Sequence, residues 1–390
     1  METTLGDVVK EFINGQTPAR KHPEFWGGDI PWVSSGELNY NIITNTNEKI
    51  TETGRQSANL QILPKGTLLI AITGLEAAGT RGSCGILGIN ATTNQSCMAL
   101  IPDTEKVTKD FLYNWYLKIG EEYGIKYTQG TKQQSYNIEL LKKLPIRLPK
   151  MIDEQNSLTN FLTCIDQKIS FMEKKYTILE NYYKSLIHQT YAFNQNKPKI
   201  TFSNMNWEEI SLNDILDEIN IKSTENNQYP LLSSTVNGIF LQDEYFDRNV
   251  GSKDNTGYKI ISKNEIVFSP QNLWMGNINV NDKFEKGIVS PSYKIFKTNK
   301  KVKIGFLKHL LKTERMIYEY KLSSEQGASI VRRNLNMNLF LDIKIKIPSI
   351  EEQEKIARLM EYIMSHRDKI KKEINIAKEF KKTMLSKMFC

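Results

Sequence analysis

The sequence predicts an α+β protein with an internal pseudo-two-fold repeat: two α+β heads separated by two long helices that form an antiparallel coiled coil. Three observations carry that prediction. Short motifs recur half a chain apart and in the same order. Two long segments keep a heptad pattern without a proline or glycine. The stretches before them alternate short apolar runs with glycine and turn residues. At 390 residues, 39% hydrophobic and 25% charged, the chain has enough apolar residues for two or three cores, since a domain takes roughly 150 residues.

The repeat rests on four matches. Leu148-Pro149 with Glu154-Gln155 returns as Ile347-Pro348 with Glu352-Gln353, the prolines lying 199 residues apart. Pro31-Trp32-Val33-Ser34-Ser35 returns as Pro230-Leu231-Leu232-Ser233-Ser234, again at 199. LPKGTLLIA (63–71) answers ISKNEIVFS (261–269), with Lys65 and Lys263 offset by 198. Gln129-Gly130 with Asn137-Ile138 answers Gln326-Gly327 with Asn334-Leu335, at 197. Coincidence among short patterns is the alternative. Four matches in one order, within two residues of one offset, weigh against it. The halves are not copies, because Asp7 to Pro31 spans 24 residues and Asp214 to Pro230 spans 16.

The first head covers 1–149. Residues 30–35, 67–73, 83–89 and 96–101 read as strands and 111–123 as a helix. The second head covers 207–347, with strands at 229–234, 265–269, 276–280 and 292–296 and a helix at 305–320. The spacer helices are 150–191 and 348–390, and a polar linker, 192–206, follows the first. Proline stands just before each helix, where it is tolerated. Acids follow in the first turn, where the macrodipole favours them.

Leu158, Leu162, Ile165, Ile169, Met172, Tyr176 and Leu179 alternate spacings of four and three, the mark of a coiled-coil seam. The second helix continues the pattern with Ile356, Met360, Ile363, Ile370 and Ile374, interrupted by Arg367 and Lys381. A plain amphipathic core helix is the alternative. In an antiparallel pair centred near 171 and 370, Arg367 falls close to Glu173, a candidate seam ion pair, with snorkelling of Arg367 to solvent as the alternative.

Composition removes several functions. The four cysteines (Cys84, Cys97, Cys164, Cys390) form no Cys-x-x-Cys pair, and the four histidines are scattered, so a zinc site is not expected. No apolar run reaches the roughly 18 residues of a membrane span, and METTLGDVVKEF lacks a secretory pattern. A cytoplasmic protein is therefore expected. There is no Pro-Pro dipeptide for an amino-methyltransferase site and no Gly-x-Ser-x-Gly elbow. ITGLEAAGTRGSCG (72–85) fits no phosphate-binding pattern and reads as a loop between strands. Pro102-Asp103 with Glu105-Lys106 has the wrong spacing for a nuclease triad and reads as solvated surface.

Binding remains. The candidate nucleic-acid contacts of the first head are Arg20, Lys21, Ser34, Ser35, Gln129, Thr131, Lys132, Gln133 and Gln134. Those of the second are Ser233, Ser234, Gln271, Asn272, Trp274, Gln326, Arg332, Arg333 and Asn334. Arg, Lys, Gln and Asn are the side chains that read base edges or grip phosphates. Ordinary loop polarity is the competing reading for any one of them, and Trp32 and Trp274 are more often core aromatics. The net charge of +8 is dispersed, so it agrees with nucleic acid without requiring it.

The two Pro…Glu-Gln helix starts, the half-chain repeat, the heptad helices and the VFSPQNLWMGN (267–277) and GIVSPSY (287–293) strands resemble the specificity subunit of type I restriction-modification systems. The resemblance covers nearly the whole chain. It implies two target recognition domains on double-stranded DNA, each contacting half of a split asymmetric site, with the helices as a ruler. It implies modification subunits that methylate adenine with S-adenosylmethionine, and restriction subunits that use ATP and Mg²⁺. No cofactor and no catalysis are then expected on this chain. A protein-only adaptor is the rival reading. The extra residue before Glu154-Gln155, relative to Glu352-Gln353, leaves the phase of the first helix open.

Overall fold

A computed structural model describes residues 2–389, apart from 76, 78, 129–133, 192, 195, 196, 199, 203–206, 246–253 and 327–331. The chain divides into two compact units. The first is Met1–Glu173 with Glu373–Cys390, and the second is Lys174–Lys372. Each unit thus takes a head, the start of one long helix and the end of the other.

In unit 1 the head is a five-stranded sheet in the order Val9–Asn14, Cys97–Pro102, Leu68–Ala71, Cys84–Leu87, Asn41–Ile43. All neighbours are antiparallel except the last pair. The central strand, Leu-Leu-Ile-Ala, is buried along its whole length, as an unbroken apolar run in mid-sheet should be. The helix Lys109–Lys126 covers the sheet with Phe111, Leu112, Trp115 and Tyr116. Its N-cap, Thr108, accepts from the Phe111 amide at 3.1 Å. Cys84 and Cys97 lie buried on the two strands that flank the central one, and both are free.

In unit 2 the corresponding sheet has four antiparallel strands, in the order Leu216–Ile219, Lys294–Thr298, Ile266–Phe268, Ile278–Val280. The expected helix over 305–320 is two helices, Ile304–Leu310 and Glu314–Leu322. The break has a local cause: Thr313 turns its hydroxyl onto the Met316 amide and starts a new helix with Glu314 in its first turn.

The repeat is visible in matching devices. Thr4 caps a turn with Asp7, and Ser211 caps one with Asp214. Three hydrogen-bond donors from Thr4 and Thr3 pull the Asp7 carboxyl down to about 2. Strand Glu2–Thr4 pairs antiparallel with Pro145–Arg147, and Glu208–Ser211 with Lys344–Ile347. Asn137 caps the short helix Ile138–Lys142, and Asn336 caps Met337–Leu341. The structural counterpart of Asn137 is therefore Asn336, not Asn334. The N-cap needs a side-chain acceptor next to the first helical turn, and Asn334 instead lies in a strand.

The long helices run Ile152–Tyr191 and Ile350–Met388, about 60 Å each at 1.5 Å per residue. Gln155 is fully buried at the first start. Its amide oxygen accepts from the Thr108 N–H at 2.9 Å, and its Nε2 donates to Lys106 O at 2.8 Å and Pro149 O at 3.0 Å. Gln353, also fully buried, accepts from Lys303 N–H at 2.8 Å and donates to Lys301 O at 3.2 Å and Pro348 O at 2.9 Å. The two glutamines do the same work, so the phases of the helices agree. The extra residue is absorbed between Pro149 and Gln155.

All predicted seam residues are buried or half-buried, from Leu158 to Leu179 and from Ile356 to Ile374. Phe161, Phe171, Ile178 and Tyr182 face away and are exposed. Within unit 1 Asp166 meets Lys381 and Glu173 meets Lys378. Within unit 2 Glu180 meets Arg367. In unit 1 residue numbers rise on one helix as they fall on the other, so the pairing there is antiparallel. The expected Arg367–Glu173 pair is corrected to Arg367–Glu180, one heptad on. The pair falls one heptad further on because the seam begins at Leu158 and Ile356, about two turns into each helix, beyond its glutamine anchor. The helix ends reach head cores: Phe389 packs on Phe111 in unit 1, and Tyr191 on Phe306 in unit 2.

Candidate nucleic-acid interface

In unit 2 the strand Ile266–Phe268 ends in a 3-10 turn, Leu273–Met275, held down by the fully buried Leu273. Gly276 closes it at φ 84°, a left-handed conformation that suits glycine. Beneath the turn Lys312 donates to Gly276 O at 3.0 Å and Val236 O at 3.1 Å. Burial lowers its ammonium to about 8. Beside the turn, strand Ser324–Gln326 pairs with Arg333–Leu335, setting Gln326 opposite Arg333 and Glu325 opposite Asn334.

The two features touch. The Arg333 amide donates to Gln271 O at 3.1 Å, and its guanidinium stands 4.9 Å from the Trp274 ring centroid. Five predicted residues are thus brought together, Gln271, Asn272, Trp274, Gln326 and Arg333, while Asn334, next in the strand, points to the other face of the ladder. Arg332 is exposed beside them. Asn272 Oδ1 has no hydrogen-bond partner among the described residues. The arrangement offers amides, a guanidinium and an indole face, the groups that hydrogen-bond and stack on bases.

Ser233 and Ser234 are placed elsewhere, in the interior. Ser234 Oγ donates to Asn277 Oδ1 at 3.0 Å and accepts from Asn279 Nδ2 at 2.7 Å. The Ser234 hydroxyl is framework, joining a hairpin to the sheet.

Unit 1 repeats the arrangement in outline. The loop after its central strand packs on the segment that follows the head helix: Leu75 N–H donates to Gln134 O at 3.1 Å, and Thr73 bridges Ser135. The described residues of 72–83 join the strands Leu68–Ala71 and Cys84–Leu87, so the loop expected over 72–85 ends before Cys84. Arg81 Nε donates to Leu75 O at 2.9 Å. Gln129, Thr131, Lys132 and Gln133 fall outside the described residues.

Arg20 lies apart from that loop. Its guanidinium stands 3.7 Å from the Trp26 centroid, and Nη2 donates to Glu48 at 2.8 Å. That hydrogen bond holds the Glu48 carboxyl below its usual range. A guanidinium already answered by a carboxylate is a poor phosphate grip. Lys21 is exposed. Ser34 gives its amide and hydroxyl to Glu37 at 2.8 and 2.9 Å, and Ser35 begins that same turn. Trp32 is a core residue, its Nε1 donating to Gln16 O at 3.0 Å.

Sequence reasoning missed Lys312, whose signal was slight: one lysine among the apolar positions of a helix. It also missed Asp166 and Glu180. The two-heptad spacing of Arg367 and Lys381, matched by acids on the other helix, was a usable sign. No group of three or more metal-ligating side chains occurs among the described residues, and no helix is long and apolar enough to cross a membrane.

Comparison with known proteins agrees with the duplicated architecture. The MjaIX specificity subunit of Methanocaldococcus jannaschii, a type I restriction enzyme component, is 29% identical over 231 residues, covering 56% of this chain and 50% of that protein. The Escherichia coli EcoR124I/EcoR124II specificity subunit is 26% identical over 196 residues, or 47% of each chain. The chain thus spans about half the length of these relatives. Among solved structures, the S subunit of a type I restriction-modification system from M. genitalium superposes with a TM-score of 0.60 at 16% identity, covering 100% of this chain and 96% of that one. The HsdS subunit of Thermoanaerobacter tengcongensis gives 0.51 at 13% identity, with 100% and 96% covered. Both show the fold. The type I restriction modification DNA specificity domain matches residues 1–203 and again 204–378, and the chain belongs to that family.

Proposed function

We propose that this chain is the DNA-recognition subunit of a type I restriction-modification complex. Each head reads one half of a split site, and the helix pair sets the gap between the halves. The observation that carries the reading is the Gln271–Trp274 turn with Arg333 stacked on it, in a chain that holds the family domain twice. Two unlike heads favour an asymmetric site, whereas identical ones favour a palindrome.

Methylation of adenine and cleavage are the work of partner subunits, which bring S-adenosylmethionine, ATP and Mg²⁺. Modification subunits dock on the outward faces of the helices. Exposed apolar side chains there support this: Phe161, Phe171, Ile376 and Phe380 in unit 1, and Ile178, Tyr182 and Tyr362 in unit 2. The test is co-purification with the modification subunit, followed by sequencing that maps methylated adenines. A bipartite motif is expected. Methylation without sequence preference would leave the chain as an adaptor.

A further inference from the structure

Two cations sit in the otherwise apolar seam. Arg367 and Lys381 occupy heptad positions of the second long helix, and their side chains are 19% and 20% exposed. In unit 2 Arg367 Nη1 lies 3.0 Å from Glu180 Oε2. In unit 1 Lys381 Nζ lies 2.6 Å from Asp166 Oδ1. Fourteen residues, two heptads, separate the cations on one helix, and fourteen separate the acids on the other. One register therefore satisfies both.

An apolar heptad seam does not by itself distinguish registers one heptad apart, because apolar layers still meet apolar layers after the slip. The charges do. Glu173 lies midway between Asp166 and Glu180. A slip in one direction sets Arg367 against Glu173 but leaves Lys381 facing Thr159. A slip in the other sets Lys381 against Glu173 but leaves Arg367 facing Ile187. Either slip takes from one cation its acid on the facing helix: Lys381 then meets a hydroxyl, and Arg367 an isoleucine, keeping only Asp368 of its own helix at 2.9 Å. A half-buried charge that loses its cross-helix partner is costly. One cation alone would not discriminate, since Glu173 would accept it. Two cations, spaced as their acids are, single out the observed register. In that register Glu173 turns outward to Lys378, at 2.7 Å.

We propose that Arg367 and Lys381 set the register of the helix pair and are thereby specificity-determining residues for the gap between the two half-sites. The second clause rests on the DNA-reading role proposed above; the first does not. A one-heptad slip displaces one helix by about 10 Å, or about three base pairs at 3.4 Å each.

The test uses the full chain, assembled with its modification subunits, with Cys164→Ser and Cys390→Ser to remove unwanted thiols. Met172→Cys with Ile374→Cys reports the observed register by disulfide cross-linking. Ile165→Cys with Ile374→Cys and Leu179→Cys with Ile374→Cys report the two slipped ones. With Arg367 and Lys381 in place, only the first pair should cross-link. In Arg367→Met, Lys381→Met, whose seam is wholly apolar, at least one slipped pair should cross-link as well. The map of methylated sites should then gain a second class, its gap changed by about three base pairs and its half-sites unaltered. Charge exchange (Arg367→Glu with Glu180→Arg, and Lys381→Asp with Asp166→Lys) should restore the single observed register. Cross-linking at 172 and 374 alone in the double methionine variant overturns the proposal, as does slippage in the exchanged variant. Slipped cross-links with an unchanged methylation gap uphold the register assignment and reject the ruler.

Discussion

Gln155 and Gln353 make the same three hydrogen bonds in their two units: one from the N-cap amide of a head helix, one to the carbonyl two residues earlier, and one to the carbonyl of the proline before the long helix. A glutamine amide is suited to this, having an acceptor and two donors on one short planar group. It joins the head to its long helix through backbone alone, so the side chains of the head can vary around it. Replacing either glutamine by leucine should cost about 1–3 kcal/mol, read as a lower urea midpoint. Glutamate, which sets a carboxylate oxygen against the same two carbonyls in a fully buried site, should cost more than leucine.

Changing Arg332 and Arg333 together to alanine should weaken DNA binding and leave assembly with modification subunits intact. For every phosphate no longer gripped, the dependence of log affinity on log salt should flatten by about one unit. Anisotropy titrations at several salt concentrations read both quantities. Wild-type affinity and slope would remove this pair from the DNA-binding surface. Trp274→Ala should lower affinity as well, since the Arg333 guanidinium then loses the ring it lies against.

Removing one heptad from each long helix keeps the seam in phase and shortens both by about 10 Å. The gap in the mapped methylation motif should shrink by about three base pairs, with both half-sites unchanged. An unaltered gap would count against the helices as the ruler.

Acid should weaken unit 2 through His309. The ring is 3% exposed, its Nδ1 lies 2.8 Å from the Tyr183 hydroxyl, and burial holds its pKa down to about 3. In the unfolded chain the imidazole titrates near 6.5. Between those values the unfolded state binds the extra proton and the folded state does not. Stability should therefore fall as pH drops from about 6.5 towards 3, by a few kcal/mol in all. Melting temperatures of wild type and His309→Phe across that range should diverge, the variant losing this part of the slope.

Much of the architecture was legible because it is periodic. The heptads of Leu158–Leu179 and Ile356–Ile374 and the spacing of Pro149 from Pro348 are read along the chain without knowledge of its folding. The central strands at 68–71 and 266–268 announced themselves as apolar runs between turns. Partnerships across space were harder. Arg367 was visibly out of place in its seam, but its partner depended on how many residues each helix gives up to its glutamine anchor. Ser234 and Arg20 looked like free polar side chains, and only the fold shows that Asn277 and Glu48 claim them. The candidate contacts of unit 2 could be picked by residue type alone, and their grouping could not, because the hydrogen bond between Gln271 and Arg333 joins segments 62 residues apart.

The division of the chain also orders its birth on the ribosome. Unit 2 is one uninterrupted run, Lys174–Lys372, while unit 1 draws its last piece from Glu373–Cys390. At roughly 5–20 residues per second of synthesis, the first head waits on the order of 10–40 s for Phe389 to reach Phe111. The nascent chain thus completes its second half before its first. During that interval the earlier-made head lacks the apolar cover that Met384, Leu385, Met388 and Phe389 later give its core.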